Sequence, residues 1–91
     1  MTYRYATTFD RTFRHLPPDR QRRVTHGIVG LIDRLEARQL PSGMGLKRLR
    51  GALWEFRVGL HDRVLIKFEG SVVTFALVGS HDDIHRYLKH G

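Results

Sequence analysis

Three consecutive segments in the second half of the chain alternate in polarity, and their spacing constrains the fold more than any other feature. The segments read ALWEFRVG (52–59), RVLIKFEG (63–70) and SVVTFALVG (71–79). Each is short, rich in β-branched and aromatic residues, and bounded by residues typical of turns, which is the pattern of strands joined by tight hairpins. The sequence therefore predicts three adjacent antiparallel strands.

The alternation also predicts which face of each strand is buried. A two-residue loop at Gly70-Ser71 and a three-residue loop at 60–62 set the register. On one face this register pairs apolar residues: Phe68 with Val73, Ile66 with Phe75, Val64 with Leu77, Val58 with Val64, Phe56 with Ile66, and Trp54 with Phe68. Because side chains alternate along a strand, the other face is predicted to carry the charged residues Glu55, Arg57, Arg63 and Lys67.

The first half of the chain predicts one edge strand and two helices. Thr2–Ala6 alternates and is rich in tyrosine, which favours a short strand. Thr8 is expected to cap a first helix that ends before Pro17-Pro18, and Asp19 to cap or open a longer second helix. The apolar faces of the two helices are Phe9, Phe13 and Leu16, and Val24, Ile28, Leu31, Ile32 and Leu35. The arginines of the second helix lie largely on its other faces, where solvent is expected: Arg20, Arg22, Arg23, Arg34 and Arg38.

A third helix is predicted at the end of the chain. Ser80 and Asp83 have the spacing of a capping box, and Ile84 and Leu88 are expected to pack this helix onto the sheet. His81 and His85 then lie one helical turn apart on a neighbouring face. The predicted fold is α+β, in the order strand, helix, helix, three antiparallel strands, helix.

Length and charge limit the classes of protein that fit. A chain of 91 residues is expected to form one domain around one core. It has no cysteine, no segment long and apolar enough for a membrane span, and no signal-peptide pattern at its start, so a cytoplasmic location is expected. The formal net charge of +7 predicts a polyanionic partner, usually nucleic acid and sometimes an acidic protein or anionic lipid.

Residues 46–88, LKRLRGALWEFRVGLHDRVLIKFEGSVVTFALVGSHDDIHRYL, resemble the RelE/ParE superfamily of bacterial toxins, in particular its RelE-like and YafQ/HigB-like branches. The resemblance rests on the order of a basic lead-in, a Trp-Glu-Phe-Arg-Val strand, a strand opening Arg-Val-Leu, and a strand ending Val-Gly-x-His. It implies a small α+β domain made beside a cognate antitoxin. It also implies cleavage of mRNA at the ribosome, or inhibition of DNA gyrase as in the ParE branch.

The same resemblance implies a site. Arg63 stands where RelE-like enzymes place an arginine that holds the scissile phosphate, and Arg57 stands where relatives have lysine or arginine. His81 matches the histidine of the YafQ-like Thr-His-x-Asp ending and the place of a catalytic arginine in RelE. Tyr87 aligns with a tyrosine in the terminal helix of RelE. Glu55 takes a position that is basic in some relatives.

The end of the chain departs from the usual pattern of the superfamily. Many members end Gly-His-Arg-x-Asp-Ile-Tyr-Arg, whereas here Ser80 replaces the usual histidine and His85 the usual tyrosine. The resemblance alone therefore does not assign the acid and the base. A catalytically inactive member is an alternative to a nuclease.

The residue types themselves suit RNA cleavage without a metal, which requires a base, cations at the attacked phosphate and an acid. Arg57 and Arg63 suit phosphate binding because a guanidinium is always charged and donates in a fork. The alternative for Arg57 and Lys67 is an ion pair with Glu55 across the strands. His81 is the acid candidate, since imidazole ordinarily titrates near neutral pH, and the alternative is an exposed histidine without a role.

Other polar residues have secondary assignments. Glu55 is either the base or an ion-pair partner. His85 is a candidate for assisting proton transfer, and Tyr87 for stacking on a base or covering the core. His61 and Asp62 are expected to be turn residues. Lys47, Arg48, Arg50 and Lys67 are candidates for RNA phosphate contacts. No cofactor or metal is expected, because the helical pair His81 and His85 has no evident third ligand.

Overall fold

The computed structural model describes residues 1–39 and 43–90. Its elements follow in the order β1 (Thr2–Tyr5), α1 (Thr7–Arg14), α2 (Pro18–Glu36), β2 (Leu46–Arg50), β3 (Leu53–Val58), β4 (Asp62–Glu69), β5 (Val72–Gly79) and α3 (His81–His90). The α+β class and the predicted order of helices and strands are confirmed. None of the helices in the described part of the chain is long and apolar enough to cross a membrane.

One five-stranded sheet runs through the domain in the order β1-β5-β4-β3-β2. Strands β2 to β5 pair antiparallel, and β1 pairs parallel with β5 at the edge of the sheet. Among residues 52–79, all of which the structure describes, no strand pair is parallel, as predicted. Strand β2 was not part of the predicted order. The basic segment that forms it, LKRLR (46–50), is compatible with either a strand or a loop.

The register between β4 and β5 is as predicted near the hairpin and differs beyond it. Phe68 lies opposite Val73 and Ile66 opposite Phe75, but the register then shifts, so that Val64 lies opposite Val78 and not Leu77. Ala76 is the additional residue of this β-bulge. A bulge reverses the side-chain parity of the strand beyond it, and Leu77 consequently faces the other side of the sheet.

The predicted register between β3 and β4 is wrong by two residues. Val58 pairs with Asp62 and Phe56 with Val64, so the connecting loop is 59–61 and not 60–62. Gly59 has a φ of 66°, a backbone conformation that favours glycine and suits the first position of this three-residue loop. Because the error is an even number of residues, the apolar and charged faces are nevertheless assigned correctly.

Helices α1 and α2 cover the apolar face of the sheet and form the main core. Phe9 and Val24 from the helices pack with Ile66 and Phe75 from the strands, and all four are buried. Thr8 is not the cap of α1, since the N-cap position is Ala6, which has no hydrogen-bonding side chain. Helix α2 begins with Pro18, which suits the first helical position because its missing N–H is not needed there.

Helix α3 covers part of the opposite face, which is therefore not only charged as predicted. Leu65, Ala76, Leu77 and Ile84 form a second, smaller buried cluster there. The predicted capping box is confirmed: the Asp83 N–H donates to Ser80 Oγ at 3.1 Å, and the Ser80 N–H donates to Asp83 Oδ2 at 2.9 Å. The hydrogen bonds from Ser80 hold the pKa of Asp83 below its usual value.

A buried ion pair links the start of α2 to the β3–β4 hairpin. Asp62 is 1% exposed and accepts hydrogen bonds from Arg20 Nε at 3.0 Å and Arg20 Nη2 at 2.6 Å. The hydrogen bonds to Asp62 raise the pKa of Arg20 above its usual value. The predictions of Arg20 on a solvated face and of Asp62 as a turn residue are both wrong. The two residues are 42 positions apart in the chain, and only the tertiary fold brings them together.

Candidate active site

An open cavity of about 360 Å³ lies where β2, β3 and β4 meet the start of α3. It is lined by Gly45, Leu46, Lys47, Glu55, Arg57, Arg63 and His81. Four of these residues were the leading catalytic candidates from the sequence, and Lys47 was an RNA-binding candidate. Five candidate residues from four separate elements therefore line the same cavity.

Strand pairing explains why these side chains meet. Arg57 on β3 lies directly opposite Arg63 on β4, and Lys47 on β2 lies directly opposite Glu55 on β3. Side chains at paired positions share a face of the sheet, so all four point to the side on which α3 lies. Like charges directly opposite each other are destabilising, and the Arg57–Arg63 pair therefore has an energetic cost.

Glu55 offsets part of that cost as the ion-pair partner of Arg63. The residue is 6% exposed, and its Oε1 atom lies 2.5 Å from Arg63 Nε. Oε1 accepts no hydrogen bond of normal geometry from any described residue, so the contact with Arg63 is a close ion pair. Because Glu55 contacts the Nε side of the guanidinium, it restricts the orientation of the Arg63 side chain.

The ion pairs with Glu55 that were the alternative for Arg57 and Lys67 do not form among the described residues. Lys67 lies 3.5 Å from Glu69 and not next to Glu55. Arg57 is exposed and makes no ion pair within residues 1–39 and 43–90. Lys47, Arg57 and Arg63 therefore contribute three positive charges to the cavity against the single negative charge of Glu55. An excess of cations in a concave site favours binding of an anion.

His81 stands at the rim of the cavity, held there by the capping box of α3. Its side chain is 57% exposed, and its Nδ1 atom lies 3.8 Å from Glu55 Oε1, which is beyond hydrogen-bonding distance. The rings of His81 and His85 lie close together, with 4.2 Å between their centroids. The cavity therefore combines cationic side chains with an accessible imidazole.

The remaining candidates lie outside this cavity. His85 lines a neighbouring depression with Arg50, and Arg50 Nη2 donates a hydrogen bond at 3.1 Å to the Leu88 carbonyl oxygen on α3. Arg48 lies opposite Trp54, on the other side of the sheet, and its Nε donates to the Gly51 carbonyl oxygen at 3.0 Å. Tyr87 borders a separate cavity between α3 and α1.

Two residues of the cavity were missed by the sequence analysis. Gly45, which precedes β2, and Leu46, the first residue of β2, form one wall of the cavity, and the Arg57 N–H donates to the Gly45 carbonyl oxygen at 3.1 Å. Gly45 has a φ of 83°, which favours glycine. The only signal in the sequence was the pair of glycines in LPSGMG (40–45), which predicts a loop but not its position beside Arg57. Residues 40–42 of this loop lie outside the described residues.

The donor groups that the structure places together suit anion binding better than metal binding. No group of three or more His, Cys, Asp or Glu side chains in the described ranges could hold a metal ion. The two arginines and the lysine supply hydrogen-bond donors of the kind that bind phosphate. With His81 at the rim, the arrangement can bind a phosphodiester and transfer a proton to or from it.

Comparison of the whole chain with known proteins finds similarity in structure. Models of known sequence families and curated protein sequences give no match. Among solved structures, the RelB–RelE antitoxin–toxin complex from Methanococcus jannaschii matches with a TM-score of 0.71 and 22% identity, over 92% of this chain and 96% of the other.

Two further structures agree with this match. The toxin–antitoxin complex RelBE2 from Mycobacterium tuberculosis gives a TM-score of 0.66 and 25% identity, over 88% of this chain and 96% of the other. The YoeB/ParE toxin from Agrobacterium tumefaciens gives a TM-score of 0.65 and 20% identity, over 89% of this chain and 99% of the other. Each match spans nearly the full length of both chains, and the protein therefore has the fold of the RelE/ParE toxin superfamily.

Proposed function

We propose that the protein is the toxin of a type II toxin–antitoxin system and cleaves mRNA in the cavity between β2, β3, β4 and α3. The observation that carries this proposal is the juxtaposition of Arg57 and Arg63 beside His81. The two arginines are directly opposite each other, and His81 lines the same cavity. Placing Arg57 opposite Arg63 has an energetic cost, which a surface that is only solvated does not require.

The arginines bind the scissile phosphate in this mechanism. Arg57 makes no ion pair with a described residue and is available to a ligand, whereas Arg63 is oriented by Glu55. During cleavage, negative charge develops on the non-bridging oxygens of the phosphate as the ribose 2′-oxygen attacks phosphorus. Guanidinium groups that are already in position stabilise that charge without reorganising.

Proton transfer completes the reaction. The 2′-oxygen forms a bond to phosphorus and loses its proton to a base, while the bond from phosphorus to the 5′-oxygen breaks. His81 donates a proton to the departing 5′-oxygen, which leaves a 2′,3′-cyclic phosphate and a free 5′-hydroxyl. Glu55 and His85 are the two candidates for the base. The contact with Arg63 favours an orienting role for Glu55, and His85 is close to His81.

The partners follow from charge and from the structural matches. An acidic antitoxin suits a domain with a net charge of +7, and two of the three structures described above are toxin–antitoxin complexes. We propose that an acidic, partly disordered antitoxin segment folds on the charged face of this protein. The substrate is mRNA, bound in the cytoplasm and on the ribosome, and the reaction uses neither a metal nor a cofactor.

Expression without an antitoxin tests this proposal. We expect growth arrest together with transcripts that end in 2′,3′-cyclic or 3′-phosphate groups, measured by mapping the RNA ends. Growth arrest with intact transcripts would contradict the nuclease and favour a ParE-like inhibitor of DNA gyrase. Unaffected growth and intact transcripts would favour an inactive member, for which the altered SHDDIH ending (80–85) is the motivating feature.

A further inference from the structure

The first two turns of α3 carry two histidines, one at the rim of the phosphate site and one in the neighbouring depression. His81 and His85 are four residues apart, so that their side chains project from the same side of the helix. Their ring centroids are 4.2 Å apart and the ring planes are inclined at 45°. Both residues are exposed. Two imidazoles at this spacing on a helix can bind one metal ion together.

The carboxylate of Glu55 lies behind His81. Its Oε1 atom is buried in a close ion pair with Arg63 Nε at 2.5 Å and also lies 3.8 Å from Nδ1 of His81. Metal-binding histidines usually present one ring nitrogen to the ion and the other to a carboxylate, which fixes the ring and increases the basicity of the ligating nitrogen. The Glu55 carboxylate lies near Nδ1 of His81, whose side chain is 57% exposed and therefore accessible to an ion.

We propose that His81 and His85 form a binding site for a divalent transition-metal ion such as Ni²⁺ or Zn²⁺, and that the bound ion inhibits the protein. Each histidine supplies one ring nitrogen, solvent completes the coordination, and Glu55 supports His81 from behind. Ligating nitrogens lie about 2.0–2.1 Å from such an ion, so the two nitrogens must approach to roughly 3 Å. The ring centroids lie 4.2 Å apart, and binding requires side-chain rotations that bring one nitrogen of each ring towards the ion.

The chemistry of the donors selects the class of metal. Imidazole nitrogen suits Zn²⁺, Ni²⁺ and Cu²⁺, whereas Mg²⁺ prefers oxygen ligands. Asp82 and Asp83 lie in the same first turn; Asp83 is ion-paired with Arg86, and Asp82 adds negative charge that offsets part of the repulsion from the nearby arginines. A site with two protein ligands binds a metal ion more weakly than a structural zinc site with four. The fraction of protein with a bound ion therefore changes with the metal concentration.

Inhibition follows from the proposed function, although the binding itself does not depend on it. A metal ion on His81 occupies the nitrogen lone pair through which this side chain would carry a proton. The acid of the cleavage reaction is then lost for as long as the ion stays bound. Removal of the ion by a chelator restores the imidazole and with it the activity.

Calorimetric titration with NiCl₂ tests the binding. We expect the wild-type protein to bind one Ni²⁺, and His85→Ala and His81→Ala to bind at least about tenfold more weakly because each keeps only one of the two ligands. His26→Ala is the matched control: His26 is also an exposed helical histidine, but Arg22 and Gly30 stand one turn away from it, and its affinity should not change. Titration with MgCl₂ should show no binding.

Equal affinity for Ni²⁺ in the wild type and in His85→Ala would overturn the proposal, as would undetectable binding by the wild type. The second measurement is the ratio of RNA cleavage with and without NiCl₂, which should fall in the wild type and in His26→Ala and return to one when a chelator is added. Binding without any RNA cleavage would reject the proposed nuclease and retain the metal site. Cleavage that NiCl₂ does not affect would reject inhibition.

Discussion

The two faces of the sheet are made by the same strands but are covered to different extents. On one face α1 and α2 bury Val64, Ile66 and Phe75 in the main core, while on the other α3 covers only the small cluster around Leu65. The face that is only partly covered leaves room for Arg57, Arg63 and the cavity. The difference indicates that one face supplies most of the stability, whereas the other carries the candidate chemistry.

The largest expected effect on stability lies on the fully covered face. Phe75 is 0% exposed and contacts the rings of both Tyr5 and Phe9. Phe75→Ala should destabilise the fold by about 3–5 kcal/mol, because it removes buried apolar surface and leaves a cavity. Urea unfolding measures this value. Leu88→Ala, in the smaller cluster, is the comparison, and an equal loss there would contradict the contrast between the two faces.

On the partly covered face, the largest expected effect is on catalysis. His81→Ala should slow single-turnover RNA cleavage by on the order of 10²–10⁴-fold and flatten one limb of the pH–rate profile, because the acid is lost. Its folding should change little, since the side chain is more than half exposed. Circular dichroism and melting serve as controls for folding. Full activity in folded His81→Ala would remove this residue from the mechanism.

Replacement of Arg63 separates phosphate binding from acid catalysis. Arg63→Ala should reduce cleavage on the order of a hundredfold at every pH, because arginine stays protonated throughout the working range. Lys67→Ala is the comparison, since the structure places this RNA-contact candidate four residues along the same strand and outside the cavity, and its cleavage rate should stay near that of the wild type. Equal rates for the wild type and Arg63→Ala would contradict the assignment of this cavity as a phosphate site.

The smallest expected effect concerns the capping box that holds His81. Ser80→Ala should cost about 1 kcal/mol at neutral pH, the usual loss for an N-cap, while Ser71→Ala in the β4–β5 turn should cost less. The pKa of Asp83 is lowered in the folded state, so the capping box stabilises the protein above the usual aspartate pKa. That contribution is lost as the pH falls through the lowered pKa.

Urea unfolding of the wild type and Ser80→Ala at neutral and strongly acidic pH tests this dependence. The difference in free energy of unfolding between the two proteins should be larger at neutral pH, where Asp83 is ionised. A difference that stays constant with pH would show that the carboxylate does not contribute through its charge.

Several features of the fold and site are predictable because they depend on local patterns. Alternation in β3 to β5 assigned Arg57 and Arg63 to one face, since side-chain parity survives a register error of two residues. The Ser80–Asp83 capping box was predictable because its two partners are only three residues apart. The charge of +7 and the family resemblance likewise came from the sequence and indicated the class of ligand.

Other features were decided only by packing between distant parts of the chain. The bulge at Ala76 turned Leu77 onto the face covered by α3, and the pairing of Asp62 with Arg20 moved an expected turn residue into a buried ion pair. The close approach of Glu55 to both Arg63 and His81 depends on how three separate elements dock. Local spacing does not encode these distances, because each of them is set by the free energy of the whole core and not by the propensity of any one segment.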